Sequence, residues 1–572
     1  MSFCHGRAMQ RFSNLSTGFF LPGLLFLLVL GACATPGGEP GSKEEVRDGS
    51  NETSTEAVQG ERSEQKREIR NIILVIGDGM GPQQVGLLND YARRAPNSIY
   101  NGEPSALERL AQAGSLGLAA THSHSSLTVD SACSATHLAT GQYAPLESLG
   151  ADIDGEVAKT VLEIARDRGM STGLVSDTRI THATPAAFAS HVAHRSMENQ
   201  IAEEMLATRV DVLLSGGLRH FLPAAVNTDD ALRASFADRT GQVMAIASRR
   251  EDERDLLDEA QALGYSLVFD RQELKDVTTG PVLGLFSLSG MGDAIEKHQE
   301  LENPERREPS LLEMSEAALR ILSENEEGFF LMIEAGQIDW AGHNNDAGTL
   351  LHEMIRIDRV VAMLHQWVDS RDGDTLLIVT ADHETGGFGF SYSGAEIPEP
   401  VELHGSVFED HPHWPQFNFG SLDILDGLYA QRLSFTEIFR RFDSAEQQTP
   451  ELLVNLVNEH SVFSLTLEEA TRILTRSENR IFHGEHPYLS LETLPHVDDF
   501  HAFYVYGDEI RANLLGRALA TEQNVVWSTG THTHTPVPVI LYGDERLGAQ
   551  INRFLHLQDV GRLMIETIKV RD

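Results

Sequence analysis

Residues 72–81 have the sequence IILVIGDGMG, a run of five aliphatic residues that ends in a glycine-rich turn with one acidic side chain, Asp78. Similar apolar runs follow along the chain at Ser171–Val175, Val210–Leu214, Phe329–Ile333, Thr375–Thr380 and Val537–Tyr542. Stretches with helical apolar spacing lie between them at Val157–Arg168, Leu311–Ser323 and Thr349–Trp367. Strands that alternate with helices indicate a parallel sheet covered on both faces. We therefore predict an α/β fold, a three-layer sandwich with a mostly parallel central sheet.

Polar or glycine-rich residues follow most of these runs, as in SDTRITHATP (176–185), EAGQIDWAGH (334–343) and ADHETGG (381–387). Ligands of such sheets bind at the carboxyl ends of the strands, so these residues predict a functional edge. Two segments, 219–310 and 389–500, do not fit the alternation. We interpret both as insertions and expect the second, which is rich in Pro, His and aromatic residues, to fold over that edge.

The composition is that of a globular protein, with 41% hydrophobic and 23% charged residues. Lys and Arg number 45 against 85 Asp and Glu, so the formal net charge is −40. This excess repels phosphate backbones and argues against a nucleic-acid partner. Few of the basic residues are Lys, and an acidic, Lys-poor surface resembles that of proteins from salty environments. A high-GC codon bias is an alternative explanation of the Arg excess.

The N-terminus has the features of an export signal. Arg7 and Arg11 precede the apolar segment Phe19–Gly31, whose 13 residues are too few to span a bilayer. The residues up to Cys33 (LGAC) resemble a bacterial lipoprotein cleavage box, which predicts a lipid on Cys33. An uncleaved anchor and an ordinary signal peptide are the alternatives. Residues 34–69 are rich in Gly, Pro, Ser and Glu, and we expect a flexible tether.

Two pairs of side chains have the chemistry of metal ligands. Asp339 and His343 are four residues apart, so on a helix they share one face and can hold one ion. Asp382 and His383 stand at the end of an apolar run and offer the oxygen and nitrogen ligands that suit Zn²⁺. Each pair alone also fits an ordinary surface turn or helix cap.

Ser131 is the candidate nucleophile. It lies in DSACSAT (130–136), where small residues lead into a helix-compatible stretch, so it can stand at a helix N-terminus that favours anions. The G-x-S-x-G elbow of hydrolases with a Ser-His-Asp triad is missing from this sequence.

Six motifs, taken together and in this order, resemble those of the alkaline phosphatase family: GDGMG (77–81), DSACSAT (130–136), HATPAAFASHVAHR (182–195), EAGQIDWAGH (334–343), TADHE (380–384) and GTHTHTPVPV (530–539). The resemblance is good over residues 71–390 and 525–545 and weak through 219–310 and 391–500. It implies an alkaline phosphatase-like fold with an inserted crown-like region. The expected organisation is a signal peptide (1–32), a lipidated tether (33–69), a catalytic core (70–390, with an insertion at about 219–310), a cap (391–500) and the C-terminal part of the core (501–572).

The resemblance also implies roles for individual residues. Ser131 would be the nucleophile that forms phosphoserine and contacts the metals, and Arg195 would clamp the phosphate. One Zn²⁺ would be held by Asp339, His343 and His532, and a second Zn²⁺ by Asp78, Asp382 and His383. Mg²⁺ would be held by Asp78, Thr184 and Glu334. His532 is preferred over His534 because a gap-free match through Val537 places the family's ligand there. His182 and Trp340 stand behind the ligands, where some members have Asp and Lys, which leaves the identity of the third metal open.

The resemblance implies hydrolysis of small phosphate monoesters by a homodimer. The N-terminal signal and the lipid on Cys33 imply that the protein is exported and held at a membrane, on the periplasmic side, at the outer membrane or at the cell surface. A phosphodiesterase on the same metals is an alternative, although Arg195 favours monoesters because a terminal phosphate accepts a bidentate clamp. A second alternative is a metal-binding surface lipoprotein without activity. In the cap, Trp414, His411 and His413 are candidates for restricting the substrate range.

Overall fold

The computed structural model describes residues 68–570 except 243, 302, 372 and 508. The predicted signal peptide, Cys33 and nearly all of the predicted tether lie outside the described residues. The strands are β1 (Asn71–Gly77), β2 (Ser115–Ala120), β3 (Ser171–Arg179), β4 (Val212–Gly216), β5 (Ser266–Val268), β6 (Val282–Leu285), β7 (Phe329–Ala335), β8 (Thr375–Thr380), β9 (Glu384–Thr385), β10 (Gly389–Phe390), β11 (Arg476–Glu478), β12 (Thr493–Pro495), β13 (Val525–Val526), β14 (His532–Thr533), β15 (Val537–Tyr542) and β16 (Phe554–His556).

The helices are α1 (Pro82–Arg94), α2 (Ala106–Ala113), α3 (Ser131–Thr140), α4 (Val161–Asp167), α5 (Ala183–Ala186), α6 (Glu198–Thr208), α7 (Asp230–Arg239), α8 (Leu256–Ala262), α9 (Arg271–Asp276), α10 (Ala294–Glu300), α11 (Leu311–Leu322), α12 (Gln337–His343), α13 (Ala347–Asp369), α14 (Asp423–Tyr429), α15 (Phe435–Ser444), α16 (Pro450–His460), α17 (Leu467–Leu474), α18 (Ile510–Gln523), α19 (Glu545–Ile551) and α20 (Leu557–Lys569). Short 3₁₀ turns occur at Leu218–His220, Ala224–Asn227, Ser406–Phe408 and His501–Phe503. No helix of the described residues combines the length and the apolar character needed to cross a membrane.

Ten strands form one central sheet in the order β16-β2-β15-β8-β1-β7-β3-β4-β6-β5. Neighbouring strands pair in parallel except at β15, which is antiparallel to both β8 and β2. The central strands β1, β7 and β8 are buried along their whole length, because helices cover both faces. The predicted α/β fold with a mostly parallel sheet is confirmed.

Local signals set the ends of the helices. The stretch predicted as a helix from Val157 begins only at Val161, since Thr160 caps α4 and Glu163 completes a capping box. Helix α11 starts where predicted, after the same kind of box at Ser310 and Glu313. Side chains that satisfy the first free N–H groups thus fix helix starts more closely than apolar spacing does.

Segment 219–310, which we expected as an insertion, contributes β5 and β6 to the end of the central sheet. These strands have only three and four residues, too few to show a buried-strand pattern in the sequence. The predicted cap, 391–500, contains α14 to α17 and the ladder of β11 with β12.

Candidate active site

The carboxyl ends of β1, β7 and β8 meet at one edge of the sheet. Ile76 of β1 lies opposite Glu334 of β7 and Thr380 of β8, so the turns that follow emerge side by side. In the first turn, Gly79 adopts a φ of +77°, and a Cβ there would lie 2.7 Å from the Cα of Asp339. Only glycine allows this close approach, which explains the glycine at position 79.

Asp339, His343 and His532 form the first group of converging side chains, here called the histidine cluster. The two imidazole Nε2 atoms are 3.1 Å apart. Asp339 Oδ2 is 3.4 Å from Nε2 of His343, and its Oδ1 is 3.5 Å from Nε2 of His532. Helix α12 supplies two of these side chains four residues apart, and β14 supplies the third.

Backbone carbonyls fix the orientation of both imidazoles. Nδ1 of His343 is 2.8 Å from the Gly530 oxygen, and Nδ1 of His532 is 2.7 Å from the Val129 oxygen. A carbonyl oxygen only accepts, so each Nδ1 carries hydrogen and each Nε2 directs its lone pair into the cluster. Lone pairs at this separation repel unless a cation lies between them. A catalytic zinc site typically has three protein ligands, with its imidazoles held by hydrogen bonds from the nitrogen that does not face the metal. These residues therefore fit Zn²⁺.

A second group, the serine cluster, consists of Asp78, Ser131, Asp382 and His383. Nε2 of His383 lies 3.1 Å from Asp382 Oδ2, 3.5 Å from Asp78 Oδ1 and 3.3 Å from the Ser131 hydroxyl oxygen. The Thr385 hydroxyl is 3.3 Å from Nδ1 of the same imidazole. The His383 ring stacks on the His532 ring at a centroid distance of 3.6 Å, so the two clusters are adjacent.

Buried carboxylates make this edge receptive to cations. Burial and then the charge of Asp382 raise the pKa of Asp78 well above its usual value. Burial and then the charge of Asp339 raise the pKa of Asp382 to about 7. Like charges packed without solvent favour protonation, and a bound dication would relieve the same repulsion.

The third group, the acidic cluster, contains Asp78, Glu334, Thr184 and His182. Ligand atoms of Asp78, Glu334 and His182 lie within 4.8 Å of one another. Asp78 Oδ1, Glu334 Oε1 and His182 Nδ1 are buried without a hydrogen-bond partner in the described structure, and Thr184 donates to Asp78 Oδ2 at 3.2 Å. Buried polar atoms without partners are costly, so the carboxylate oxygens of Asp78 and Glu334 fit a bound cation. His182 Nδ1 lies 3.8 Å from Glu334 Oε1. Arg195 can only donate to Nε2 of this imidazole, so Nδ1 carries the hydrogen and faces Glu334 instead of ligating a cation.

Arg195 joins α3, the helix that begins at Ser131, to the acidic cluster. Its Nη1 donates to Asp130 Oδ2 at 3.1 Å, and its Nη2 is 3.2 Å from His182 Nε2. Asp130 also caps α3 by accepting from the amides of Ala132 and Cys133, so Ser131 is the first residue of that helix. Our sequence analysis missed Asp130, although its place directly before Ser131 marks it as a helix cap.

The family model described as alkaline phosphatase matches residues 69–418, more than half of the chain. This chain belongs to the alkaline phosphatase family. Its relatives in that family include alkaline phosphatase 3 of Bacillus subtilis, 28% identical over 530 residues that cover 90% of this chain and 93% of the relative. Escherichia coli alkaline phosphatase is 31% identical over 352 residues, 55% of this chain and 70% of that protein. The crystal structure of Thermus thermophilus alkaline phosphatase matches with a TM-score of 0.68 at 28% identity, covering 89% of this chain and 93% of that one.

Membership in the alkaline phosphatase family makes this chain a phosphatase that depends on metals. Among the remaining candidates, Trp340 packs edge-on against His182 at a ring distance of 6.1 Å. His534 lines a surface depression with His122 and Pro536, and it is not part of the histidine cluster. In the cap, the Trp414 side chain is 56% exposed.

A residue that the sequence analysis did not single out contacts the histidine cluster from the side of the cap. The Tyr506 ring lies against His343 at a centroid distance of 5.1 Å and an angle of 86°. Neither its spacing nor its neighbours in the sequence form a motif, so only the tertiary structure reveals it.

Proposed function

We propose that this chain hydrolyses phosphate monoesters through a phosphoserine at Ser131, with Zn²⁺ in the histidine and serine clusters and Mg²⁺ in the acidic cluster. The observation that carries the proposal is the orientation of the three histidines. Each directs Nε2 toward acidic side chains, and one of the three reaches the Ser131 hydroxyl. Nitrogen and oxygen donors of this kind suit Zn²⁺, while the mainly oxygen donors of the acidic cluster suit Mg²⁺.

When bound, the cations would lower the pKa of the serine hydroxyl and of water and would polarise the phosphoryl oxygens. The residues of the chain provide the rest. Ser131 stands at the N-terminus of α3, where free amides and the helix dipole favour a phosphate group. Its hydroxyl gives up its proton, and the oxygen bonds to phosphorus as the ester bond on the opposite side breaks, so that the organic group leaves as an alcohol after taking up a proton. Water then adds to phosphorus as the bond to the Ser131 oxygen breaks, which releases inorganic phosphate and returns the protonated serine.

Arg195 is the clamp for the phosphoryl group in this proposal. Its planar guanidinium can donate two parallel hydrogen bonds to phosphoryl oxygens. Asp130 lies 3.1 Å from Nη1 and keeps the group beside Ser131. Burial opposes ionisation of Asp130, but the charge of Arg195 and three further hydrogen bonds lower its pKa, so the pair stays ionised. A bidentate clamp favours the terminal phosphate of a monoester over a diester.

The decisive experiment combines phosphoenzyme trapping with metal analysis. Wild type, quenched in acid during turnover, should yield a phosphorylated peptide that contains Ser131, and the Ser131→Ala variant should yield none while it retains its metals. The exposed Ser125 provides a matched control, since Ser125→Ala should behave as wild type. A Ser131→Ala variant that keeps its turnover would overturn the proposal.

Relative rates distinguish the alternative functions. We expect p-nitrophenyl phosphate to be hydrolysed faster than bis-p-nitrophenyl phosphate, and the reverse order would favour a phosphodiesterase. Protein that binds zinc stoichiometrically but hydrolyses neither ester would support the inactive surface protein.

We also propose that the chain is exported and held at a membrane by a lipid on Cys33, and that it forms a homodimer. The apolar segment Phe19–Gly31 and the sequence LGAC support the anchor, and the family resemblance supports the dimer. Fractionation of cells that express wild type or Cys33→Ser tests the anchor, because the variant should leave the membrane fraction. Sedimentation of the purified enzyme tests the dimer.

A further inference from the structure

Two tyrosines form a continuous row of rings from His343 to the protein surface. The Tyr506 ring meets the imidazole edge-on at 5.1 Å. The Tyr488 ring meets Tyr506 at 5.2 Å and an angle of 86°. Tyr488 is 54% exposed, so the row, here called the tyrosine wall, begins in solvent and ends at the histidine cluster.

The segment that carries the wall has its own supports. Strands β11 and β12 pair, and the Asn479 side chain donates to the carbonyls of Leu489 and Leu491 at 3.1 and 2.9 Å. A small apolar cluster separate from the main core lies beneath it, formed by Leu494, Val497, Tyr504 and Ile510. These contacts support the segment that carries the two rings, and Leu514 joins the small cluster to the main core.

The position of the wall matters because of the direction in which the ester bond breaks, an argument that rests on the proposed function. In an in-line displacement the leaving oxygen departs opposite the nucleophile. The Ser131 hydroxyl lies 3.3 Å from His383, on the side of the serine cluster. The histidine cluster adjoins the serine cluster, since the His383 ring stacks on the His532 ring. A leaving oxygen that faces the histidine cluster would carry its organic group past His343 and Tyr506.

We propose that the tyrosine wall is a specificity-determining surface that packs against aromatic leaving groups, so that aryl phosphates are preferred over small alkyl phosphates. Aromatic rings favour edge-to-face and offset contacts, the arrangement that the two tyrosines already adopt with their neighbours. Of the substrate, the wall would touch the organic group and not the phosphoryl group, so it discriminates between esters without changing how the phosphoryl group is held.

The test compares kcat/KM for p-nitrophenyl phosphate and ethyl phosphate in wild type and variants, because the intrinsic difference between the esters cancels in each variant-to-wild-type ratio. Tyr488→Ala and Tyr506→Ala should lower the value for the aryl ester about 3- to 10-fold and leave the alkyl ester within about twofold. Tyr506→Phe keeps the ring and should retain the preference. Tyr392→Ala is the matched control, since Tyr392 is 60% exposed and packs against Phe417 and Phe419 instead.

Calorimetric titration with phenylphosphonate and methylphosphonate gives a readout that does not depend on turnover. We expect the alanine variants to weaken binding of the phenyl compound only. Equal losses for aryl and alkyl ligands, or zinc content reduced by Tyr506→Ala, would mean that the wall merely supports His343 and would overturn the proposal. Unchanged values for both ligands would overturn it as well. If wild type hydrolyses neither ester, the proposed function fails, and the phosphonate titrations still decide whether the wall binds an aryl group.

Discussion

The histidine cluster and the acidic cluster share one edge of the sheet but hold their side chains differently. In the first, backbone carbonyls orient His343 and His532 through Nδ1. In the second, hydroxyl groups at the end of β3 hold Glu334: Ser176 and, at 3.1 Å, Thr178 both donate to its Oε2. Val129 and Gly530 offer their carbonyl oxygens whatever side chains they carry, whereas the hydroxyls depend on the identity of single residues. The imidazoles of the first cluster are thus oriented by the main chain, and the Glu334 carboxylate of the second by replaceable side chains.

The largest expected effect is that of removing a ligand from the histidine cluster. His532→Ala should cost one zinc and at least about 1,000-fold in kcat/KM, because charge stabilisation by a metal is worth several kcal/mol. Inductively coupled plasma mass spectrometry and steady-state kinetics measure both. His534→Ala is the matched control, two residues away and outside the cluster. If His534→Ala produced the loss instead, the assignment of His532 would be wrong.

A substitution in the acidic cluster should cost less. Glu334→Gln should lower kcat/KM about 10- to 100-fold and abolish retention of Mg²⁺ during gel filtration, because this cluster orients Asp78 without touching the Ser131 hydroxyl. Zinc content should stay unchanged. Loss of zinc together with magnesium would show that the two clusters do not act separately.

The supporting hydroxyls offer a paired test of the comparison. Thr385 lies 3.3 Å from Nδ1 of His383 and donates to Asp339 at 2.5 Å, while Thr178 supports Glu334. Thr385→Val should weaken zinc affinity about tenfold, and Thr178→Val should weaken magnesium affinity by a similar factor. Competition titrations with chelators give both affinities. If Thr385→Val lowered magnesium affinity, or Thr178→Val lowered zinc affinity, the two clusters would not bind their metals independently.

The smallest effect concerns the charge outside both clusters. The formal net charge of −40 repels anionic substrates, and in the proposed function Arg195 and the bound cations supply the local attraction. Raising ionic strength should therefore increase kcat/KM for small phosphate esters by about two- to threefold through screening. Initial-rate assays at increasing sodium chloride concentration measure kcat/KM. A decrease in kcat/KM with salt would show that the surface near the site attracts the substrate.

The sequence predicted the elements that have a local signature. The strands β1, β7 and β8 are long apolar runs, and the residues after them form motifs because each must perform chemistry at a fixed place. The sequence did not reveal the role of Asp130, because an Asp before a helix is a common cap. Its ion pair with Arg195 joins residues 65 positions apart and leaves no local pattern. Tyr506 escaped because its contact with His343 arises from packing between distant segments, which leaves no local pattern.

The antiparallel strand β15 has a consequence for how the enzyme is made. It enters the sheet between β8 and β2, and the residues just before it carry His532, 189 positions after His343. A growing chain therefore presents Asp339 and His343 long before His532 exists. A chain synthesised only as far as the cap holds Ser131 and Arg195 but an incomplete histidine cluster. The cluster is thus complete only after synthesis has passed His532.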